Sequence, residues 1–152
     1  MTQAQRYSDM IAPHPHGLDN FYRAALYLLS SNEVLTKAAL KHISDEGSDF
    51  AAIKEDCVNL EREESQLLSI AHNLFNSTAF CAISPSDIAN MRLPAFLRIQ
   101  DAMRVAAGFV KIQIQEESSG AKAIILDDSP QKQVLQSYQM IDAMKASLSQ
   151  ES

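Results

Sequence analysis

Tryptophan is absent, and the 152 residues include only four glycines, five prolines and two cysteines. So little glycine and proline favours long regular elements over loops. Cys57 and Cys81 supply neither a C-x-x-C pair nor a disulfide framework, which excludes a thiolate metal site and a stapled secreted scaffold and fits a reducing cytoplasm. No apolar run is long enough to span a bilayer, and the polar opening MTQAQRYSDM lacks the apolar core of a signal peptide, so no membrane partner is expected. A basic stripe is missing too. With a formal charge of −6 and a pI of about 5.1, the chain has no source for the phosphate neutralisation that dominates nucleic-acid affinity, and nucleic acid is not expected as a partner.

Several catalytic signatures are also missing. There is no H-E-x-x-H, no Glu-x-x-His of the kind used by helical di-iron bundles, no G-x-S-x-G, and the isolated glycines build no phosphate loop. Hydrolase, zinc, iron and nucleotide chemistry therefore lose their support. No catalytic residue, metal or cofactor is expected, and the reading leans away from an enzyme. His14 and His16 are spaced by one residue and would hold a metal only with ligands from elsewhere.

Helical periodicity dominates what is present. At 16.8 kDa the chain fits one domain with a core of ordinary size. Residues 1–16 read as a flexible leader, because Pro13 and Pro15 interrupt any helix there. Residues 17–148 read as one helical domain and 149–152 as a frayed tail. In 18–29, Leu18, Phe21, Tyr22, Ala25, Leu28 and Leu29 make a wide apolar face that Leu26 and Tyr27 extend nearly all round. Such a helix is either central to the fold or partly covered by another subunit. Ser30 and Glu33 read as a capping box opening a second helix to about Ile43, with His42 inside its stripe. A short helix over 49–57 turns Phe50 and Ile53 inward. The helix over 60–76 carries Leu60, Leu67, Leu68, Ala71, Leu74 and Phe75 on one face, and Glu64 falls among them. Ser84, Pro85 and Asp87 signal another start, Pro94 opens a helix facing inward through Phe96, Ile99, Met103, Ala106, Ala107 and Val110, and Arg104 sits at its edge. Period-two alternation then predicts a two-stranded β-hairpin at about 110–126. A last amphipathic helix follows, with Val134, Leu135, Tyr138, Ile141, Met144 and Leu148 recurring every three or four residues. The expected class is thus mainly α, with about six helices, a late hairpin and a C-terminal amphipathic helix of the docking-arm kind.

Three groups of residues are functional candidates. His42 and Glu64 lie on apolar faces, and Tyr22 and Arg104 can approach them if their helices are neighbours. A buried carboxylate beside an imidazole can move a proton, and the same residues also suit a structural ion pair or a helix-start carboxylate. His72, Asn73 and Asn76 sit near a helix end, where polar groups cap the helix or offer a surface. The segment 45–64 holds Asp45, Glu46, Asp49, Glu55, Asp56, Glu61, Glu63 and Glu64 against Lys54 and Arg62, which equals the whole formal charge of −6. It is either a solvated acidic face or a surface for a basic protein partner.

Tyr22-Arg23-Ala24-Ala25-Leu26-Tyr27-Leu28-Leu29, Asn32-Glu33, Leu68, Ala71-His72-Asn73-Leu74-Phe75-Asn76, Ser86-Asp87-Ile88, Phe96, Ala102 and Arg104 resemble a family of small helical bacterial and phage proteins of unknown function. The resemblance covers about residues 17–110. It implies a compact helical domain and carries over no catalytic residue. Together these readings lead to a cytoplasmic, non-enzymatic interaction protein that self-associates, as a dimer, through surplus apolar surface on the 18–29 helix and the edge of the hairpin. Two other readings stay open: an acidic phage or mobile-element inhibitor of a basic protein, and a small enzyme or ligand-binding protein with a pocket near His42 and Glu64.

Overall fold

Seven consecutive residues, Ala24, Ala25, Leu26, Tyr27, Leu28, Leu29 and Ser30, are buried, and the rest of the chain is built around them. The computed structural model describes residues 1–14 and 17–151. In chain order these form α1 (Gln3–Ile11), α2 (Asn20–Ser30), α3 (Glu33–Leu40), β1 (Ile43–Ser44), β2 (Gly47–Ser48), α4 (Phe50–Asp56), α5 (Arg62–Phe75), α6 (Pro85–Ala89), α7 (Leu93–Ala106), β3 (Lys111–Glu116), β4 (Lys122–Asp127) and α8 (Ser129–Gln150). The fold is mainly helical. Eight helices stand among the described residues where about six were expected.

Helix α2 begins where the Asp19 carboxylate accepts the Tyr22 amide at 2.8 Å. Its surface is then covered by α1, α3, α5 and α7. The apolar residues from Ala24 to Leu29 are therefore used within the chain, while Phe21 stays exposed. Tyr27 is fully buried, yet its hydroxyl donates to Asp101 and accepts from Arg98, both at 3.0 Å, so α7 is tied to α2 by polar as well as apolar contacts.

The leader is corrected most. Residues Gln3–Ile11 are helical, capped by the Thr2 hydroxyl on the Gln5 amide, and Ala4, Tyr7 and Met10 are buried. Three apolar residues at steps of three suffice for a stripe one residue wide, and the polar composition of the segment conceals it. The helix ends at Ile11, two residues before Pro13, and Pro15 and His16 lie outside the described residues. Arg6 donates to the Ser30 carbonyl at 2.8 Å and Gln3 to the Ser30 hydroxyl at 3.3 Å, so α1 seals the end of α2. Ser30 consequently does not open α3; the Asn32 side chain caps it by accepting the Leu35 amide at 3.0 Å. That helix stops at Leu40 rather than running to Ile43, because Gly47, with φ at +137°, folds residues 43–48 into a tight hairpin.

Helix α7 turns Ala95, Ile99, Ala102, Val105 and Ala106 inward. The expected inner face was rotated, for Met103 is exposed and the small Ala102 meets the core instead. Close approach to α2 favours the narrower residues. Gly108, at φ +82°, then lets the Phe109 amide bond the Arg104 carbonyl at 3.0 Å and turns the chain into β3. Strands β3 and β4 pair antiparallel from Lys111 opposite Asp127 to Glu116 opposite Lys122. Ile112, Ile114, Ile124 and Leu126 pack against the core, and Lys122 Nζ donates to Ser8 Oγ at 3.0 Å, which ties β4 to α1.

Candidate interaction surface

The expected polar cluster does not assemble. Glu64 is in the first turn of α5, where free amides are available: its carboxylate accepts the Glu61 amide at 3.1 Å and the Asn32 side chain at 2.8 Å. His42 Nε2 lies 2.7 Å from Asp56 Oδ2 in the open. The hydrogen bond from His42 and its charge hold the Asp56 carboxyl below the usual carboxylate range. Arg104 pairs with Asp101 on its own helix. The Tyr22 hydroxyl meets His14 Nε2 at 3.1 Å and the Ser48 hydroxyl, so it fastens the β1–β2 hairpin and the end of α1's linker to α2. No hydrogen bond or ion pair joins any two of His42, Glu64, Arg104 and Tyr22 among the described residues. Sequence reasoning missed Asn32, Ser48 and Asp56 as the actual partners. The only local signal was Asn32 as an alternative cap two residues past Ser30.

His72, Asn73 and Asn76 shape the end of α5. Asn73 donates to the Ala79 carbonyl at 2.9 Å, and the Asn76 side chain accepts from the Thr78 amide at 3.1 Å and from its hydroxyl at 2.7 Å. The His72 ring stacks on Phe50, centroids 4.8 Å apart and 3° from parallel, with Nδ1 buried and unbonded. Burial holds the His72 and His14 imidazoles below their ordinary value of 6.5. Both are favoured as neutral rings in the fold, whereas the unfolded chain takes up protons near pH 6.5. Their contribution to stability is thus complete above that pH and declines below it. Melting temperature is expected to fall between pH 7 and pH 5, and His72→Phe is expected to flatten that fall; an unchanged slope in the variant would exclude His72 as a source.

Of the acidic segment, Asp49 caps α4 through the Ala52 amide at 3.1 Å, Asp56 meets His42, Glu63 pairs with Arg92 at 3.1 Å and Glu64 caps α5. Asp45, Glu46, Glu55 and Glu61 are exposed. No group of three or more possible metal-binding side chains occurs among the described residues, and no helix there is long and apolar enough to cross a membrane. A cleft of about 380 Å³ between α1, the start of α2 and β3 is lined by Tyr7, Ile11, His14, Arg23, Lys111 and Ile112. The Tyr7 hydroxyl at its wall is pushed up to about 12 by burial, so it stays protonated.

The surface that stands apart is α8. It is 22 residues long, and every residue from 132 to 150 is exposed. Its root is fixed: Asp127 accepts the Ser129 amide at 3.0 Å, Gln131 donates its amide to the Phe109 carbonyl at 3.0 Å, and Lys132 pairs with Asp128 at 3.3 Å. Beyond that root the helix projects, carrying Val134, Tyr138, Ile141, Met144 and Leu148 at 38 to 67 % exposure. The helix runs on through Gln150, so Ser149 and Gln150 of the expected frayed tail 149–152 are helical, and Ser152 lies outside the described residues. Comparison with family models, with curated proteins and with solved structures finds no match. The geometry of the chain itself is what bears on its function.

Proposed function

We propose that this chain is a non-enzymatic protein-interaction module that self-associates through α8, in a cytoplasmic setting, and that its kinship lies with the small helical bacterial and phage proteins that residues 17–110 resemble. One observation carries the reading: a 22-residue helix with no buried residue and a continuous apolar stripe. Helices of this length draw most of their stability from burying such a stripe, and single apolar residues on a surface need no partner but a contiguous row of five does. The sequence-based reasons for self-association, the 18–29 helix and the hairpin edge, carry less weight, because Ala24 to Ser30 of α2 are enclosed and β4 packs on α1. The acidic-inhibitor and His42–Glu64 pocket readings gain no support, since four of the acidic residues serve local caps and pairs and the pocket residues are bonded separately. Sedimentation equilibrium at micromolar concentration is expected to show a dimer for the full chain and a monomer for Ile141→Asp, the two sharing one unfolding transition of the helical body. A monomeric full chain would overturn the proposal.

A further inference from the structure

Resting on that reading, we infer that the partner of α8 is the α8 of a second copy of this chain, lying antiparallel about a two-fold axis through Ile141. The centre of the stripe is a palindrome, with the exposed Leu135 and Met140 standing outside it. Relative to Ile141, Val134 and Leu148 stand at −7 and +7, Tyr138 and Met144 at −3 and +3, and the polar Ser137 and Lys145 at −4 and +4. Wound at about 100° per residue, these positions lie symmetrically within some 60° of Ile141 on either side. A parallel pair in register matches any sequence to itself and needs no such symmetry. An antiparallel isologous pair needs it, because residue −k must suit residue +k of the partner. Here it sets Val134 against the partner's Leu148, Tyr138 against the partner's Met144 in a favourable sulfur–aromatic contact, and Ile141 against itself.

Charge selects the same arrangement. In a parallel pair Lys145, inside the stripe, faces the partner's Lys145; antiparallel, it faces the partner's Ser137 and its ammonium reaches water along the seam. Residues 129–151 are formally neutral, with Lys132 and Lys145 against Asp142 and Glu151, so the whole −6 belongs to the helical body. A parallel pair would bring two such bodies together at one end. The antiparallel pair holds them at opposite ends of a helix about 33 Å long, well beyond the screening length of about 8 Å in physiological salt.

Cysteine cross-linking of the full-length chain tests this. Val134→Cys alone and Leu148→Cys alone should each fail to form a cross-linked dimer through α8, because like positions lie about 21 Å apart along the antiparallel pair, far outside disulfide reach. The two variants mixed should form one, with the 134–148 junction identified by peptide mass spectrometry so that Cys57 and Cys81 do not confuse the result. Should each variant instead cross-link to itself while the full chain sediments as a dimer, the pair is parallel: self-association through α8 stands and the inference fails. A dimer with no α8 cross-link in any mixture overturns the inference and places the interface elsewhere. A monomer at all concentrations removes both.

Discussion

Deleting residues 1–12 is expected to abolish the cooperative unfolding transition, although most of the segment is polar. The deletion removes Ala4, Tyr7 and Met10 from the core, the last fully buried, and uncovers the buried end of α2. Burying a large apolar side chain is worth about 1.5–3 kcal/mol, so Tyr7 and Met10 alone account for roughly 3–6 kcal/mol. Lost with them are the Arg6 hydrogen bond to the Ser30 carbonyl, the Gln3 bond to the Ser30 hydroxyl and the Lys122 bond to Ser8 that holds β4. Against a typical net stability of about 5–15 kcal/mol, that sum unfolds a domain of this size or leaves it without fixed packing. Circular dichroism on heating, with near-ultraviolet signal as the probe of packing, measures it. A truncated chain that melts within a few degrees of the full chain would show that α1 is an accessory. Met10→Ala, expected to cost about 2–5 kcal/mol, gives a graded version in a chain of full length.

Tyr27→Ala is expected to be the most damaging single substitution, at about 3–5 kcal/mol, the range for removing a large aromatic ring from a core. At about 2–4 °C per kcal/mol for a chain of this size, the melting temperature should drop by about 6–20 °C. The ring is completely enclosed in α2, and its hydroxyl joins Arg98 and Asp101 of α7. Tyr27→Phe separates the two contributions. It keeps the ring and deletes the hydroxyl, whose partners have other recourse, since Asp101 also holds Arg104 and Arg98 reaches solvent. A loss of only about 1 kcal/mol is expected there. Equal losses for the two variants would mean that the polar bridge, rather than the packed ring, sustains the α2–α7 contact.

These two residues sets mark what local sequence can and cannot show. The Ser84, Pro85 and Asp87 start, the break before Pro94, the alternation of the hairpin and the inward Phe50 and Ile53 were all legible, because each depends on partners within a few residues. In the capping box of α6, for instance, the Asp87 carboxylate accepts the Ser84 amide at 2.8 Å across three positions. The leader was not legible, since a stripe one residue wide gives a weak period and its value lies wholly in what it covers. Nor were the partners of the candidate site. Asn32 and Glu64 are 32 residues apart, Tyr27 and Asp101 74, and Ser8 and Lys122 114, and no spacing rule connects them.

The sharpest contrast lies between α2 and α8. Periodicity reports that a helix has an apolar face, and for both helices that much was determined by the sequence alone. Whether the face is covered is a question of where the other elements go. Four helices close over α2, and Ala24 to Ser30 vanish from the surface; among the described residues none buries α8, and residues 132 to 150 stay exposed. Apolar burial has no preferred direction and no sequence range, so only the tertiary structure decided which of two apolar helices became the centre of the fold and which was left to meet another molecule.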